Sequence, residues 1–246
     1  MGDSMRLNKF LSEAGVCSRR EADRLIESGE IAVNDKVAVV GMQVGPTDEI
    51  RYQNRRIVKE EREVLLVFNK PRGIVCTAEK RERNNVVDYI NYPVRIYPVG
   101  RLDKDSEGLL LMTNQGELVN KIMRAGNFHE KEYVVKVDKK ITKEFLTQMR
   151  AGVPILDTIT RACQVTPIDD YTFNIILTQG LNRQIRRMCE YLGYEVKRLK
   201  RQRVMNFKLA GIRVGEYREA TKEEMRILDK ELANSSSLPR HEQSQN

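Results

Sequence analysis

The residues whose types and spacing are best suited to chemistry lie in residues 97–114, YPVGRLDKDSEGLLLMTN. The polar stretch that starts at Asp103 lies between two apolar runs, and Gly108 opens the second of them. A loop that core segments fix at both ends can hold a carboxylate rigidly. Such a carboxylate can act as a nucleophile, as a base or as an anionic stabiliser of positive charge. Taken alone, the pattern also fits an ordinary charged turn.

Two further carboxylates in this loop, Asp105 and Glu107, raise the alternative of paired-carboxylate chemistry. Glycoside hydrolysis normally needs such a pair together with an activated water. Metal chemistry is not indicated, because the four cysteines and two histidines lie far apart and no pair has metal-ligand spacing. We therefore expect no metal site.

A second set of candidate residues is basic and lies in residues 180–203. This stretch contains eight arginines and lysines and two glutamates, a net charge of +6. Because phosphate groups attract such clusters, this density favours contact with a nucleic-acid backbone over an ordinary solvated surface. The candidate contacts are Arg183, Arg187, Lys197, Arg198, Lys200 and Arg201.

The composition of the whole chain is compatible with a nucleic-acid partner but is weakly specific. The 246 residues carry a formal charge of +8, and the pI is near 9.3. The N-terminal sequence has no apolar stretch of signal-peptide length, and apolar runs such as residues 64–68 are far shorter than the roughly 20 residues that span a bilayer. We therefore expect a cytoplasmic protein with reduced cysteines and no membrane segment.

Residues 1–51 have the pattern of a helix, a turn, a second helix and a strand pair with a tight turn at residues 34–36. Apolar residues recur at helical spacing in residues 7–14, and Ser18 lies three residues before Glu21, the spacing of a capping box. The net charge of these residues is −2, but basic side chains on two packed helices can still converge on one face. A mixed solvated surface is equally compatible. The residues concerned are Arg6, Lys9, Arg19, Arg20 and Arg24.

A charged segment at residues 52–63, YQNRRIVKEERE, is predicted to be a linker between two domains or an exposed edge. In residues 64–232, compact apolar runs alternate with helical patterns, which predicts an α+β domain. The predicted strands are VLLVFNKP, GIVCT, GLLLMT, KEYVVKV and FNIILTQ, and the predicted helices are GELVNKIM, KEFLTQM, RQIRRMCEYL and KEEMRILDKEL. Residues 233–246 are polar and serine-rich, which predicts a disordered tail.

Four motifs, found in this order, resemble those of the pseudouridine synthases of the RsuA and Rlu type. NKPRGIV begins at Asn69, GRLDKDSEGLLLMTN has an aspartate after Arg-Leu, KEYVV contains Tyr133, and LNRQIRRM has Arg186 after Gln-Ile. Residues 1–51 resemble the alpha-L RNA-binding domain named after ribosomal protein S-four. The resemblance implies an α+β fold: a small alpha-L domain, then a catalytic domain built on a mixed, largely antiparallel sheet with flanking helices.

The resemblance also implies roles for individual residues. Asp103 is the essential aspartate, and Arg186 would pair with it and keep it ionised. Tyr133, which by strand periodicity alone is a core aromatic, would pack against the uracil ring and relay the C5 proton. Arg101 and Lys70 would contact the substrate RNA or shape its pocket. The reaction is an isomerisation, so no cofactor is expected, and the target nucleotide must flip out of the RNA stack.

The substrate class follows from the resemblance of residues 181–206 to the RluF group of this family. This resemblance implies a uridine in 23S ribosomal RNA, with a transfer-RNA anticodon arm as the second candidate. Two alternatives come from other classes. One is a noncatalytic ribosome-binding or assembly factor, and the other is a methyltransferase, for which no glycine-rich strand-to-helix loop is found. We expect a monomer that binds RNA and no membrane.

Overall fold

The structure is a computed structural model that describes residues 4–59, 62–79, 81–233 and 235. The chain forms two compact units, the first made of Met1–Glu63 and Pro93–Arg95 and the second of Val64–Tyr92 and Ile96–Asn246. Among the described residues, no helix has the length and apolar character needed to cross a membrane. The predicted tail, residues 233–246, lies outside the described residues except for two positions.

The first unit packs two short helices against short strands. Its elements are β1 (Met5–Arg6), α1 (Leu7–Glu13), α2 (Arg19–Glu27), β2 (Ile31–Val33), β3 (Lys36–Val37), β4 (Gln43–Val44), β5 (Ile50–Tyr52) and β6 (Arg55–Arg56). Helix α2 begins where predicted, because the Ser18 hydroxyl accepts a hydrogen bond from the Glu21 N–H at 3.2 Å. Asn34 and Asp35 both have positive φ, which confirms the predicted tight turn between β2 and β3.

The first part of the predicted linker belongs to this first unit and fits the alternative prediction of an exposed edge. Strand β6 pairs with β5 at the edge of a sheet with the order β3-β2-β5-β6. The next residue, Ile57, donates a backbone hydrogen bond to Ile50 at 2.8 Å and packs against the core. Both arginines of β6 stay exposed at the sheet edge, which is why the segment has the composition of a linker.

The second unit is a large sheet with helices on both faces. Its strands are β7 (Leu65–Lys70), β8 (Tyr97–Val99), β9 (Glu107–Thr113), β10 (Lys131–Val137), β11 (Pro154–Ile155), β12 (Thr158–Ile159), β13 (Gln164–Pro167), β14 (Thr172–Leu177), β15 (Val196–Val204), β16 (Phe207–Lys208) and β17 (Tyr217–Glu219). Its α-helices are α3 (Val86–Ile90), α4 (Gly116–Met123), α5 (Lys143–Ala151), α6 (Gln184–Tyr191) and α7 (Lys222–Leu232).

The sheet order is β13-β14-β10-β15-β9-β7-β17, with β16 paired to β15 and β8 to β9. The β9–β15 ladder is parallel, and the other ladders of this sheet within the described residues are antiparallel. Along β9, Leu110 and Met112 join the core that contains α3, α5 and α6, whereas Leu109 and Leu111 join the core that contains α4 and α7. The predicted mixed, largely antiparallel sheet with flanking helices is confirmed.

Two strand assignments in this unit differ from the sequence-based prediction. The predicted strand GIVCT, residues 73–77, is wrong, because Gly73 has a φ of 92° and Val75 makes only an isolated bridge to Asn85. Strand β15, in contrast, is not evident from the sequence, since five of its nine residues are lysine or arginine. Its buried apolar residues, Val196 and Val204 among them, fix it in the sheet.

Gly108 allows the backbones of β9 and β15 to approach each other closely. Its φ is +106°, and a Cβ atom at this position would lie 2.3 Å from the carbonyl oxygen of Arg201. An L side chain would therefore meet both backbone strain and a backbone clash. The parallel ladder at Arg201 and Gly108 depends on this glycine.

We expect Gly108→Ala to lower the free energy of unfolding by more than about 2 kcal/mol, since left-handed φ values cost an L residue on the order of 1–3 kcal/mol and the clash adds to this. Gly193→Ala is the matched control, because Gly193 has a φ of +79° and no heavy atom within 4 Å of an added Cβ. It should cost about 1 kcal/mol. Urea unfolding followed by circular dichroism measures both variants, and equal losses would contradict the close approach.

Candidate active site

The loop that contains Asp103 connects β8 to β9 and is held by a buried lysine. The Lys70 Nζ donates hydrogen bonds to the carbonyl oxygens of Asp103 at 3.2 Å, Ser106 at 2.9 Å and Pro71 at 3.0 Å. A further bond joins the Ser106 N–H to the Asp103 carbonyl at 3.0 Å. The main chain on both sides of the carboxylate is therefore fixed, while the Asp103 side chain keeps 32% of its surface exposed.

This geometry corrects the prediction that Lys70 contacts RNA. Its side chain is fully buried, and its three ammonium protons have three carbonyl acceptors. Burial also lowers the pKa of Lys70, and the nearby Asp103 partly opposes this effect. Lys70 therefore positions the loop through its main-chain carbonyls. Arg101, in contrast, is exposed and lines a cavity beside Asp103.

Two arginines from the α6 region contact the carboxylates of this loop. The Arg183 Nη1 lies 3.4 Å from an oxygen of Asp103 and 3.4 Å from an oxygen of Asp105. The predicted pair between Arg186 and Asp103 is a longer contact, 3.9 Å from Nε to Oδ2, and Arg186 lies closer to Asp105, at 3.3 Å. Both arginines thus share both carboxylates. Glu107 is different, because it is buried and pairs with Arg198 at 2.6 Å.

Arg186 is the more constrained of the two arginines. Its guanidinium donates to the Val196 carbonyl at 3.2 Å, the Asp105 carbonyl at 3.3 Å and the Ser106 hydroxyl at 3.2 Å. Burial raises the pKa of Asp105, but the charges of Arg186 and Arg183 outweigh burial and hold that pKa below its ordinary value. Asp105 therefore stays ionised and keeps Arg186 beside the loop.

A cavity of about 260 Å³ lies beside Asp103. Tyr133 lines it from the middle of β10, where it is 9% exposed and pairs across the sheet with Ile175 and Arg201. Strand β10 fixes the tyrosine, whereas the loop supplies the carboxylate. The further lining residues that matter here are Arg101, Lys131, Leu181, Arg183, Leu199 and Arg201.

The basic residues of β15 do not form one exposed face. Arg201 is 2% exposed and donates its Nε to the Leu109 carbonyl at 2.7 Å, so the prediction that it contacts phosphate at the surface is wrong. The reason is strand alternation, which directs neighbouring side chains to opposite faces of the sheet. Lys197 is exposed but pairs with Glu195 at 2.6 Å. Arg198 is exposed and pairs with Glu107. Arg187 is half-buried and donates to the Asn182 carbonyl at 3.1 Å, and Lys200 is also half-buried.

The basic residues predicted in the first unit divide into paired and unpaired groups. Arg24 pairs with Glu21 at 2.8 Å, and Lys9 lies 3.7 Å from Glu13. Among the described residues, the remaining three have no carboxylate within ion-pair distance and are exposed. They are Arg6, Arg19 and Arg20.

Comparisons with known proteins match both units. Residues 64–191 match the family described as RNA pseudouridylate synthase, and residues 5–50 match the S4 domain. The chain is 56% identical to the dual-specificity RNA pseudouridine synthase RluF of Escherichia coli K12, over 95% of this chain and 81% of that protein. It is 39% identical to the ribosomal large subunit pseudouridine synthase B of Bacillus subtilis, over 91% of this chain and 95% of that protein.

A solved structure supports the same grouping. A crystal structure of a pseudouridylate synthase has a TM-score of 0.68 and 26% sequence identity, over 91% of this chain and 99% of that chain. Together with the carboxylate loop beside the cavity, these matches define an RNA-modifying isomerase. The chain belongs to the RNA pseudouridylate synthase family, and it is an RNA pseudouridine synthase. The alternatives of a noncatalytic assembly factor and of a methyltransferase are therefore set aside.

Proposed function

We propose that this enzyme isomerises one specific uridine of 23S ribosomal RNA and that Asp103 is its essential catalytic group. The observation that carries the proposal is the position of Asp103. It lies on a loop fixed by Lys70, beside the cavity that Tyr133 lines and within 4 Å of two arginines. No other carboxylate of the described residues lines that cavity.

The reaction breaks the bond between N1 of uracil and C1′ of the ribose and then joins C5 to C1′. Asp103 acts at the sugar, as a nucleophile at C1′, as a base at C2′ or as an anion beside the developing positive charge. Arg183 and Arg186 lie within 4 Å of its carboxylate and orient it. Tyr133 packs against the uracil, and its hydroxyl relays the proton from C5. The nucleotide reaches the cavity by flipping, which costs about a few kcal/mol.

The choice of 23S ribosomal RNA is supported by the relative that carries the large ribosomal subunit in its name, which is 39% identical. A transfer-RNA anticodon arm is a second candidate substrate, because the 56% identical relative is described as dual-specificity. Mapping pseudouridine in 23S and transfer RNA from cells with and without the gene tests both. Loss of one 23S site is the expected result. An unchanged 23S map would overturn the substrate assignment.

Arg19 and Arg20 are the proposed RNA contacts of the first unit. Both lie in the first turn of α2, where positive side chains oppose the positive end of the helix dipole. The start of a helix also attracts anions in general. An RNA phosphate at this position would therefore relieve an unfavourable charge arrangement.

We expect the double substitution Arg19→Glu with Arg20→Glu to weaken RNA binding by about 10- to 100-fold and to reduce the slope of log K against log salt by about 2. The single-turnover rate at saturating enzyme should not change, because the cavity is untouched. Arg213→Glu with Arg226→Glu is the charge-matched control, since both arginines are exposed and paired with glutamates. An unaltered salt slope in the α2 variant would show that RNA does not contact this helix.

We also propose that the enzyme acts as a monomer in the cytoplasm, where its RNA substrates are found. The four thiols, Cys17, Cys76, Cys163 and Cys189, are free, which fits a reducing compartment. Sedimentation at micromolar concentration tests the oligomeric state, and a stable dimer would contradict this part of the proposal.

A further inference from the structure

Two buried cations line the same cavity as Asp103 and Tyr133. Lys131 begins strand β10 and is 4% exposed, and Arg201 lies in β15 and is 2% exposed. Lys131 and Tyr133 share one face of β10, and Arg201 is the cross-strand partner of that tyrosine. Both cations are therefore buried where they line the cavity, whereas about one-third of the Asp103 side chain is exposed.

Neither cation has a counter-ion within the described chain. No carboxylate lies within 4 Å of Lys131 or Arg201, and the Lys131 Nζ has one acceptor, the His129 carbonyl at 3.2 Å. The Arg201 Nη2 is buried without any hydrogen-bond acceptor. Burial, together with the charge of Arg201, lowers the pKa of Lys131 to about 8. A buried cation without a partner is unfavourable for the fold.

The same strand shows that the fold can supply counter-ions to a cation. Arg203, two residues beyond Arg201, pairs with Glu132 at 2.7 Å and with Glu130 at 2.8 Å. The absence of any such pairing at Lys131 and Arg201 therefore suggests that their partner is a group of the substrate.

We propose that Lys131 and Arg201 bind the carbonyl oxygens of the uracil and stabilise the negative charge that this base carries when it leaves the ribose. The inference rests on the proposed function. When the C1′–N1 bond breaks, its electron pair stays with the base and spreads over N1, O2 and O4. The positive charge at C1′ is met by the Asp103 carboxylate or by loss of the C2′ proton. The C1′–C5 bond then forms as any bond between Asp103 and C1′ breaks, or as C2′ regains its proton. Loss of the proton from C5 and gain of a proton at N1 complete the isomerisation, so no co-reactant is needed.

The burial of Lys131 and Arg201 favours the uracil base over a phosphate as their ligand. Tyr133, Leu181 and Leu199 give the cavity apolar walls suited to a flat ring. A backbone phosphate would stay at the exposed mouth, near Arg183, because the sugar joins it to the base. Fixed donors placed where charge develops stabilise a transition state strongly in a buried site. Lys131 and Arg201 are therefore assigned to the leaving base.

The test is Lys131→Met, assayed at saturating enzyme in single turnover on RNA with uridine or 5-fluorouridine at the target position. Fluorine stabilises the uracil anion, so the fluorinated base needs less help to leave. Cleavage of the C1′–N1 bond is followed as loss of the original nucleoside. We expect a loss of about 100-fold on uridine, a loss at least ten times smaller on 5-fluorouridine, and unchanged RNA affinity. The melting temperature should be unchanged or higher, since an unpaired buried charge is removed.

Two further variants sharpen the test. Arg201→Lys keeps the charge but removes the planar guanidinium with its several donors. Its loss of single-turnover rate should therefore also be smaller on 5-fluorouridine than on uridine. Arg203→Met removes a paired arginine of the same strand, and any loss it causes should be equal on both substrates. Equal losses for Lys131→Met on both substrates, or weaker RNA binding with an unchanged rate, would overturn the inference. Failure of the unsubstituted enzyme to form pseudouridine would instead contradict the proposed function.

Discussion

Asp103→Asn is expected to reduce pseudouridine formation by at least about 10⁴-fold, the scale seen when a covalent or electrostatic catalytic group is removed. Asparagine has nearly the same shape, so it can take the same place on the loop that Lys70 fixes through main-chain carbonyls. It cannot serve as a nucleophile, a base or an anion. Folding and RNA affinity should therefore stay nearly unchanged, and both are measured separately from the yield of pseudouridine.

Asp105→Asn is the control for this result, because it changes the same loop by the same one unit of charge. Asp105 lies in contact with Arg183 and Arg186. The Val196 carbonyl and the Ser106 hydroxyl still hold Arg186 in the variant, so the reacting carboxylate should stay in place. We expect most of the activity to remain. Normal turnover by the Asp103 variant, or a complete loss confined to the Asp105 variant, would show that the wrong carboxylate has been assigned.

Arg186→Met is expected to cause the second largest loss, about 10²- to 10³-fold in the single-turnover rate. The guanidinium contacts both carboxylates, the Ser106 hydroxyl and the Val196 carbonyl, and it is the more buried of the two arginines. Methionine fills a similar space without charge, so the fold should persist while the orientation of Asp103 is lost. Rapid-quench measurement at saturating enzyme isolates this effect from RNA binding.

Arg187→Met provides the comparison from the same helix. Arg187 is half-buried, bonds to the Asn182 carbonyl at 3.1 Å and makes no contact with the carboxylate loop. As a proposed RNA contact, it should change the dissociation constant and leave the rate at saturation close to normal. Similar rate losses at saturating enzyme in the two variants would mean that the effect of Arg186→Met does not come from the contact of Arg186 with Asp103.

Several features of the fold could be predicted because they depend on local sequence. The α2 cap at Ser18, the tight turn at Asn34 and the alternating β10 are set by residues close in the chain. The prediction of a strand at GIVCT, in contrast, was wrong. Its apolar residues fit a strand, but Cys76 is buried in the core from an irregular segment that follows the turn at Gly73. Composition over five residues does not distinguish these two structures.

The parts of the candidate site that belong to a local motif could be predicted from the sequence. The parts that depend on strands distant in the chain could not. Asp103 lies between apolar runs that mark its loop, so its placement follows from the sequence pattern. The burial of Lys70 and Arg201 does not, because charged residues are usually exposed and only pairing with β9 places them inside. Lys131 was missed for the same reason: nothing in KEYVV shows that its first residue is enclosed.

The parallel ladder between β9 and β15 has a consequence for how the enzyme becomes active during its synthesis. Arg201 follows Asp103 by 98 residues in the chain, a length that a ribosome translates in about 5 to 20 s. Until α6 and β15 have emerged, the carboxylate loop lacks Arg183 and Arg186 and the cavity lacks the residues that β15 supplies, Leu199 and Arg201. Because such long-range pairing also forms slowly, we expect the nascent chain to stay inactive until β15 has emerged and paired with β9.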